Sequence, residues 1–323
     1  MIFGQDRAVE QFTAARQSGA LHHAWLLSGP KGVGKASFAR LAATRLLSEA
    51  AGPAFSAAGL ETPEDHRIAK LVEAGSHPDL RWLERLTNEK TGNLARNISV
   101  DQVRALGELF DLTPALSPWR AVVIDSIDDL EKSAANALLK MLEEPPANTI
   151  FFLVTHAPGR LLPTIRSRCR RLDFQPLDDD AMTSILAKAL PMQKDFERTR
   201  VISAAAGSAG RALALAELDL ISLEDKALRI LRQGDPTNGR RSDLATELGK
   251  RGAGDRYAAF LEILPSVIAR EARSLSGAPR QRAVDAYSRT RELVAIAPRL
   301  SLDPAATVFQ LGGILASVAD PLP

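Results

Sequence analysis

The segment Gly29-Pro30-Lys31-Gly32-Val33-Gly34-Lys35-Ala36 sets three glycines and a lysine at the spacing of a loop that cradles phosphate. Glycines let backbone N–H groups approach phosphate oxygens, a following helix N-terminus adds partial positive charge, and a lysine placed like Lys35 neutralises the β- and γ-phosphates. The eighth position of such a loop calls for Ser or Thr, whose hydroxyl binds the magnesium bridging those phosphates. Ala36 puts a methyl group there. Ser37 follows about 100° further round the helix and faces elsewhere. A second acidic element is Val122-Val123-Ile124-Asp125, an apolar run ending in a carboxylate able to hold magnesium. In an active ATPase of this kind a Glu comes next and polarises the attacking water; here it is Ser126, whose hydroxyl is no base at neutral pH. Asp128 reads as a cap for the following helix. Both departures remove the same chemistry, so the residues read as a nucleotide loop that has lost hydrolysis.

Such a site needs a strand before the loop and a helix after it. Ala24 to Ser28 supplies the strand, and Phe38, Leu41, Ala42 and Leu46 recur at helical spacing. Arg120–Asp125, Thr149–Thr155 and Arg170–Phe174 read as further buried strands, and Glu131–Glu144 as a helix stopped by Pro145 and Pro146. Ser99 with Gln102 forms a capping box opening one helix to Phe110. The glycines and prolines of residues 49–74 predict an irregular insertion. Alternating strands and helices imply a parallel α/β layer. After Pro176 only helical patterns remain: Asp178–Leu190, Phe196–Ala206 and Arg211–Leu218, forming a small helical domain, then a helical tail from Asp219 broken near Gly234–Gly239, Gly252–Gly254 and Gly277–Pro279.

The chain has 323 residues, 41 basic against 39 acidic, and 45% hydrophobic content, an ordinary globular balance that excludes disorder. A net charge of +2 compels no nucleic-acid binding by the chain as a whole, and the basic residues of 240–299 are scattered like a solvated helix surface. One cysteine, Cys169, permits neither an internal disulfide nor a thiolate zinc cluster and fits a reducing, cytoplasmic setting. No run approaches a membrane span, and Met1 to Arg7 does not read as a secretory leader.

These residues carry a resemblance. The chain resembles the clamp-loader branch of AAA+ proteins of bacterial replication through Phe3-Gly4-Gln5, His23-Ala24, Gly29 to Lys35, Gly75-Ser76-His77-Pro78-Asp79, Ile124-Asp125, Ala135 to Lys140, Leu142-Glu143-Glu144-Pro145-Pro146 and Thr164 to Cys169. Gly207-Ser208 and Gly210-Arg211-Ala212-Leu213 close the series. The resemblance implies an AAA+ P-loop domain over 1–174, a helical lid over 175–218 and an all-helical oligomerisation collar over 219–323. It implies that Arg168, in Ser167-Arg168-Cys169, is an arginine finger acting in trans on a neighbour's ATP. It further implies a degenerate nucleotide site of Gly29, Gly32, Gly34, Lys35, Asp125, Thr155 and Arg211. Thr155 would be a γ-phosphate sensor and Arg211 a second sensor, although both residues would serve equally as packing or surface charge. No cofactor is required, weakly bound ATP or ADP is compatible with the loop, and the zinc module common in this branch is not expected before Cys169. The implied partners are gamma/tau ATPase subunits and delta in a hetero-oligomeric ring, with the sliding clamp and primed DNA met through that complex. The alternative is a gamma/tau-like motor, which would carry Ser or Thr at position 36 and an acid at position 126.

Overall fold

Apolar runs too short and too β-branched for helices pair into one buried sheet. The computed structural model describes residues 2–87, 94–191 and 195–319. Its five strands are β1 (Ala24–Ser28), β2 (Leu80–Leu83), β3 (Arg120–Asp125), β4 (Thr149–Thr155) and β5 (Arg170–Asp173), all parallel, in the order β2-β3-β4-β1-β5. Every residue of β1 and β4 is buried, as continuous apolar runs in a doubly covered parallel sheet require. β2 escaped the sequence reading because only Leu83 in it is buried, leaving no apolar run to announce it.

The described residues form two compact units. The first comprises Met1–Pro191 and Ala206–Gly210. Its helices are α1 (Asp6–Gln17), α2 (Lys35–Ala51), α3 (Arg67–Glu73), α4 (Val100–Arg104), α5 (Leu106–Asp111), α6 (Lys132–Glu143), α7 (Pro163–Arg166) and α8 (Asp179–Ala189). Side chains alternate across the sheet. Trp25, Leu27, Val123 and Phe152 enter one core with Phe12 of α1 and Phe38 of α2, whereas Leu26, Ile124, Phe151 and Leu153 enter the other with Leu138 and Leu142 of α6. In the first core the Phe12–Trp25, Phe12–Phe38 and Phe38–Phe174 rings meet edge-on at 5.1, 5.7 and 5.2 Å. Each such pair adds about 0.5–1.5 kcal/mol beyond the area it buries.

Three expectations change. Residues 49–74 contain α3, whose Ile68 and Val72 are buried and whose first turn is capped by His66 Nδ1 accepting from the Ile68 N–H at 3.2 Å. The capping box at Ser99 and Gln102 forms, but the segment behind it is two short helices parted at Ala105. The first unit also continues past residue 174: Gln5 binds the backbone of Gln175, and the Leu177 N–H donates to Gly207 O at 2.8 Å. Residues 88–93 lie outside the described residues.

The second unit comprises Met192–Ala205 and Arg211–Pro323. It is helical: α9 (Asp195–Ala205), α10 (Ala209–Glu217, whose first two residues belong to the first unit), α11 (Leu220–Gln233), α12 (Gly239–Leu248), α13 (Gly254–Ser274), α14 (Gly277–Ile296) and α15 (Pro304–Ala316). α11 buries Leu223, Ala227, Ile230 and Leu231 on one stripe, and α13 and α15 bury Leu264, Ile268, Val308 and Leu311. Several basic residues tie helices together: Arg232 and Arg270 pair with Glu271 and Glu224, and Lys226 and Arg256 converge on Glu247. Among the described residues no helix is long and apolar enough to cross a membrane.

Candidate nucleotide site and a surface arginine

Strand register assembles the site. Ser28 pairs with Thr155 and Asp125 with Val154, so the loop after β1, the acid ending β3 and the hydroxyl ending β4 share the carboxyl-terminal edge of three neighbouring strands. Open parallel sheets bind ligands at this edge, where strand order reverses. Gly34 adopts φ 98° as the N-cap of α2, and Lys35 opens the helix. Gly29 and Gly32 admit no side chain. A Cβ on Gly29 would lie 2.3 Å from Phe174 O, and one on Gly32 2.3 Å from Ser208 Oγ, at φ of 156° and 79°.

The loop is braced from outside. The Gly210 N–H donates to Gly32 O at 2.9 Å, Ser208 Oγ donates to Lys31 O at 2.9 Å, and the buried Gln5 donates through Nε2 to Val33 O at 3.3 Å. This explains physically why Gln5 and Gly207 to Gly210 accompany the loop, a role that spacing along the chain does not reveal.

Lys35 is 3% exposed, and its Nζ donates to Gly29 O at 2.7 Å and to Pro30 O. Burial pulls its ammonium down to about 8, against the opposing pull of Asp125 and then Asp128. Burial, and after it the Glu84 carboxylate, pushes the Asp125 carboxyl up, with Lys35 opposing. Glu84 belongs to no motif in the sequence. It follows β2, and the Leu83–Ile124 pairing sets it level with Asp125.

Asp128 corrects the helix-cap reading. The N-cap of α6 is Glu131, and a tight turn over Ile127–Asp129 directs Asp128 to β4 instead. There it accepts from Thr155 Oγ1 at 2.9 Å and from the His156 N–H at 2.6 Å, fixing the Thr155 rotamer. Ser126 is buried, its Oγ 3.5 Å from Asp129 Oδ2. The structure thus gathers Gly29, Gly32, Gly34, Lys35, Asp125 and Thr155 at one edge. Arg211 stands on α10 in the second unit, just past the 206–210 segment of the first. The gathered groups can hold an anion through backbone N–H groups and one ammonium. Ala36 supplies no hydroxyl for a metal, and Ser126 no base.

Arg168 lies elsewhere. It precedes β5, whose Arg170 pairs with Trp25 at the amino-terminal edge of the sheet. Its guanidinium binds Glu143 at 2.8 Å and Thr164 O at 3.0 Å with its side chain 35% exposed. Burial pushes the neighbouring Cys169 thiol up to about 12, so it is no nucleophile.

The family model described as DNA polymerase III, delta subunit matches residues 4–178. The chain is 37% identical over 186 residues to the DNA polymerase III subunit delta' of Pseudomonas aeruginosa, covering 58% of this chain and 53% of that one. It is 35% identical over 178 residues to the subunit delta' of Bacillus subtilis, covering 55% and 50%. A subunit gamma/tau of Mycobacterium tuberculosis is 28% identical over 309 residues, covering 91% of this chain and 49% of its own. Among solved structures, a DNA polymerase III gamma subunit-related protein of Thermotoga maritima aligns with a TM-score of 0.46 at 18% identity, covering 96% of this chain and 98% of that one. The chain thus spans about half the length of the curated delta' relatives it matches. Since the family model takes in the loop and the sheet that carries it, the chain belongs to the DNA polymerase III delta-subunit family, beside the delta' subunits it matches.

Proposed function

We propose that this chain is a non-hydrolysing subunit of a replicative clamp loader and lends Arg168 to the ATP site of a neighbouring subunit. The observation that carries this is the position of Arg168. It sits at the amino-terminal edge of the sheet, while the chain's own phosphate loop leaves the carboxyl-terminal edge of β1. The strand alone separates the two ends by about 10 Å, so Arg168 is badly placed for its own loop and open to another subunit. Its planar, permanently charged fork suits a γ-phosphate. The loop would hold ATP or ADP weakly through the N–H groups of residues 32–35 and Lys35, and Asp125 would be the acid nearest any accompanying magnesium.

In this reading the first unit, which runs past residue 174, is the nucleotide-binding-like domain, and the helices of residues 219–323 are the collar that joins gamma/tau ATPases and delta in a ring. The ring would act in the cytoplasm on the sliding clamp and primed DNA. The gamma/tau match over 91% of the chain favours a motor as the second reading; Ala36 and Ser126 oppose it.

Reconstitution with the other loader subunits tests the choice. Arg168→Ala should assemble normally yet lower DNA- and clamp-stimulated hydrolysis by the complex, by roughly tenfold or more at the site it serves, and Arg168→Lys should restore little. Wild-type hydrolysis and loading by the Arg168→Ala complex would refute the role in trans. Turnover by the isolated chain that Lys35→Ala abolishes would establish the motor.

A further inference from the structure

The amino-terminal edge of the sheet holds a second buried cation. Arg120 opens β3 and is 7% exposed. One terminal guanidinium nitrogen donates to Leu112 O, whereas Nε is buried with no partner. Among the described residues no carboxylate forms an ion pair with it. A buried guanidinium with its Nε unmatched and no carboxylate beside it is costly to keep, and an acidic occupant of the cleft that Arg120 lines would lower that cost through its charge.

Arg120 lines an open cleft of about 500 Å³ whose other walls include Pro114, Leu116, Pro118 and Ala147. The wall is built in advance. Asp79, 2% exposed, accepts from the Ala115 and Leu116 N–H groups at 2.7 and 2.8 Å, and Ser117 Oγ accepts from the Trp119 N–H at 3.0 Å. Those bonds occupy both Asp79 oxygens, so this nearby acid holds the wall rather than Arg120. The backbone of Arg120 is fixed in turn by its N–H donating to Asn148 O at 2.8 Å. The cleft therefore has a guanidinium among its lining groups, with short apolar side chains beside it.

We propose that this cleft binds a carboxylate carried on a short aliphatic group, its oxygens paired with the Arg120 guanidinium and its aliphatic part against Pro114, Leu116 and Pro118. A guanidinium fork matches a carboxylate in plane, and the fixed wall lowers the entropy cost of binding. The same chemistry is presented by a small carboxylic acid and by the free C-terminus of a protein ending in an apolar residue.

The test is titration of the deuterated, ¹⁵N-labelled full chain with N-acetyl-leucine, N-acetyl-leucinamide, N-acetyl-Gly-Gly-Leu and inorganic phosphate, following the Ala115, Leu116, Ser117 and Asn148 amides. N-acetyl-leucine should shift them saturably with an affinity of about 1 mM, and its amide at least tenfold more weakly. A tripeptide acid binding more tightly than N-acetyl-leucine identifies a protein C-terminus as the source, and weaker binding a small acid; either supports the site. Because Arg120→Gln could fail to fold, Ala147→Glu serves beside it. That variant places a carboxylate at the cleft and should weaken N-acetyl-leucine at least tenfold, while Ala147→Gln should not. No saturable shift with either acid, equal binding of acid and amide, phosphate binding as tightly as N-acetyl-leucine, or unchanged binding to Ala147→Glu would each overturn the proposal.

Discussion

The two edges of one sheet treat a buried cation in opposite ways. At the carboxyl-terminal edge Lys35 is 3% exposed, faces Asp125 and Asp128, and is bonded to carbonyls of its own loop. At the amino-terminal edge Arg120 is 7% exposed, and the acid beside it, Asp79, is committed to two backbone amides. A lysine can shed its proton when burial becomes too costly, whereas a guanidinium cannot. An opposed carboxylate can therefore be doing either of two jobs: Asp79 holds a loop in place, and Asp125 waits in a position that the fold itself disfavours.

The comparison can be broken most directly by removing those acids. Asp79→Ala deletes two buried bonds to an ionised acceptor and should cost about 3–5 kcal/mol in urea unfolding. Asp125→Ala removes a carboxylate whose ionised form burial opposes, and should cost less than about 1 kcal/mol or even stabilise the chain. Equal losses would erase the distinction between an acid that holds the fold and an acid whose ionised form burial opposes.

A smaller effect separates the cations. The folded Lys35 titrates near 8 and the unfolded one near 10.5, so between those values the unfolded chain binds the extra proton. Stability contributed by this group therefore rises with pH across that window, by at most about 3 kcal/mol, and below pH 8 the burial penalty is fully present. Unfolding at pH 7.5 and 9.5 should show that rise in the wild type and a flatter profile in Lys35→Met. Arg120→Gln should keep the wild-type slope, because a guanidinium does not titrate there. The smallest change expected is for Glu143→Gln. Its half-exposed pair with Arg168 is worth less than about 0.5 kcal/mol, and a loss above about 2 kcal/mol would make Arg168 a structural residue rather than one open to a neighbour.

What could be read from the chain alone was whatever spacing encodes. Gly29 to Lys35, Asp125 and the runs of β1, β3 and β4 are contiguous signals, and the helical character after Pro176 follows from loss of the strand pattern. Glu84 could not be found that way, because it meets Asp125 through the register of β2, a strand with one buried residue. Asp128 looks like a helix cap along the chain, whereas a tight turn, not the helix behind it, determines its direction. α3 was hidden by neighbouring glycines and prolines that favour irregular backbone, although Ile68 and Val72 lie one helical turn apart. Arg120 read only as the start of a strand, since the missing partner of a charge is a property of three-dimensional neighbours.

The contacts of Ser208 and Gly210 with the phosphate loop carry one more consequence, through peptide geometry. In a trans peptide the C=O and the next N–H point in opposite directions. With Lys31 O and Gly32 O drawn toward 208 and 210, the N–H groups of Gly32 and Val33 are turned the other way. The orientation of these donors is thus set about 180 positions further along the chain. Any anion that rotates those planes must strain the bonds to Ser208 and Gly210, and any movement of that segment re-aims the donors. The aim of the loop's donors and the placing of residues 208–210 are thus one geometric fact, joined through two peptide planes.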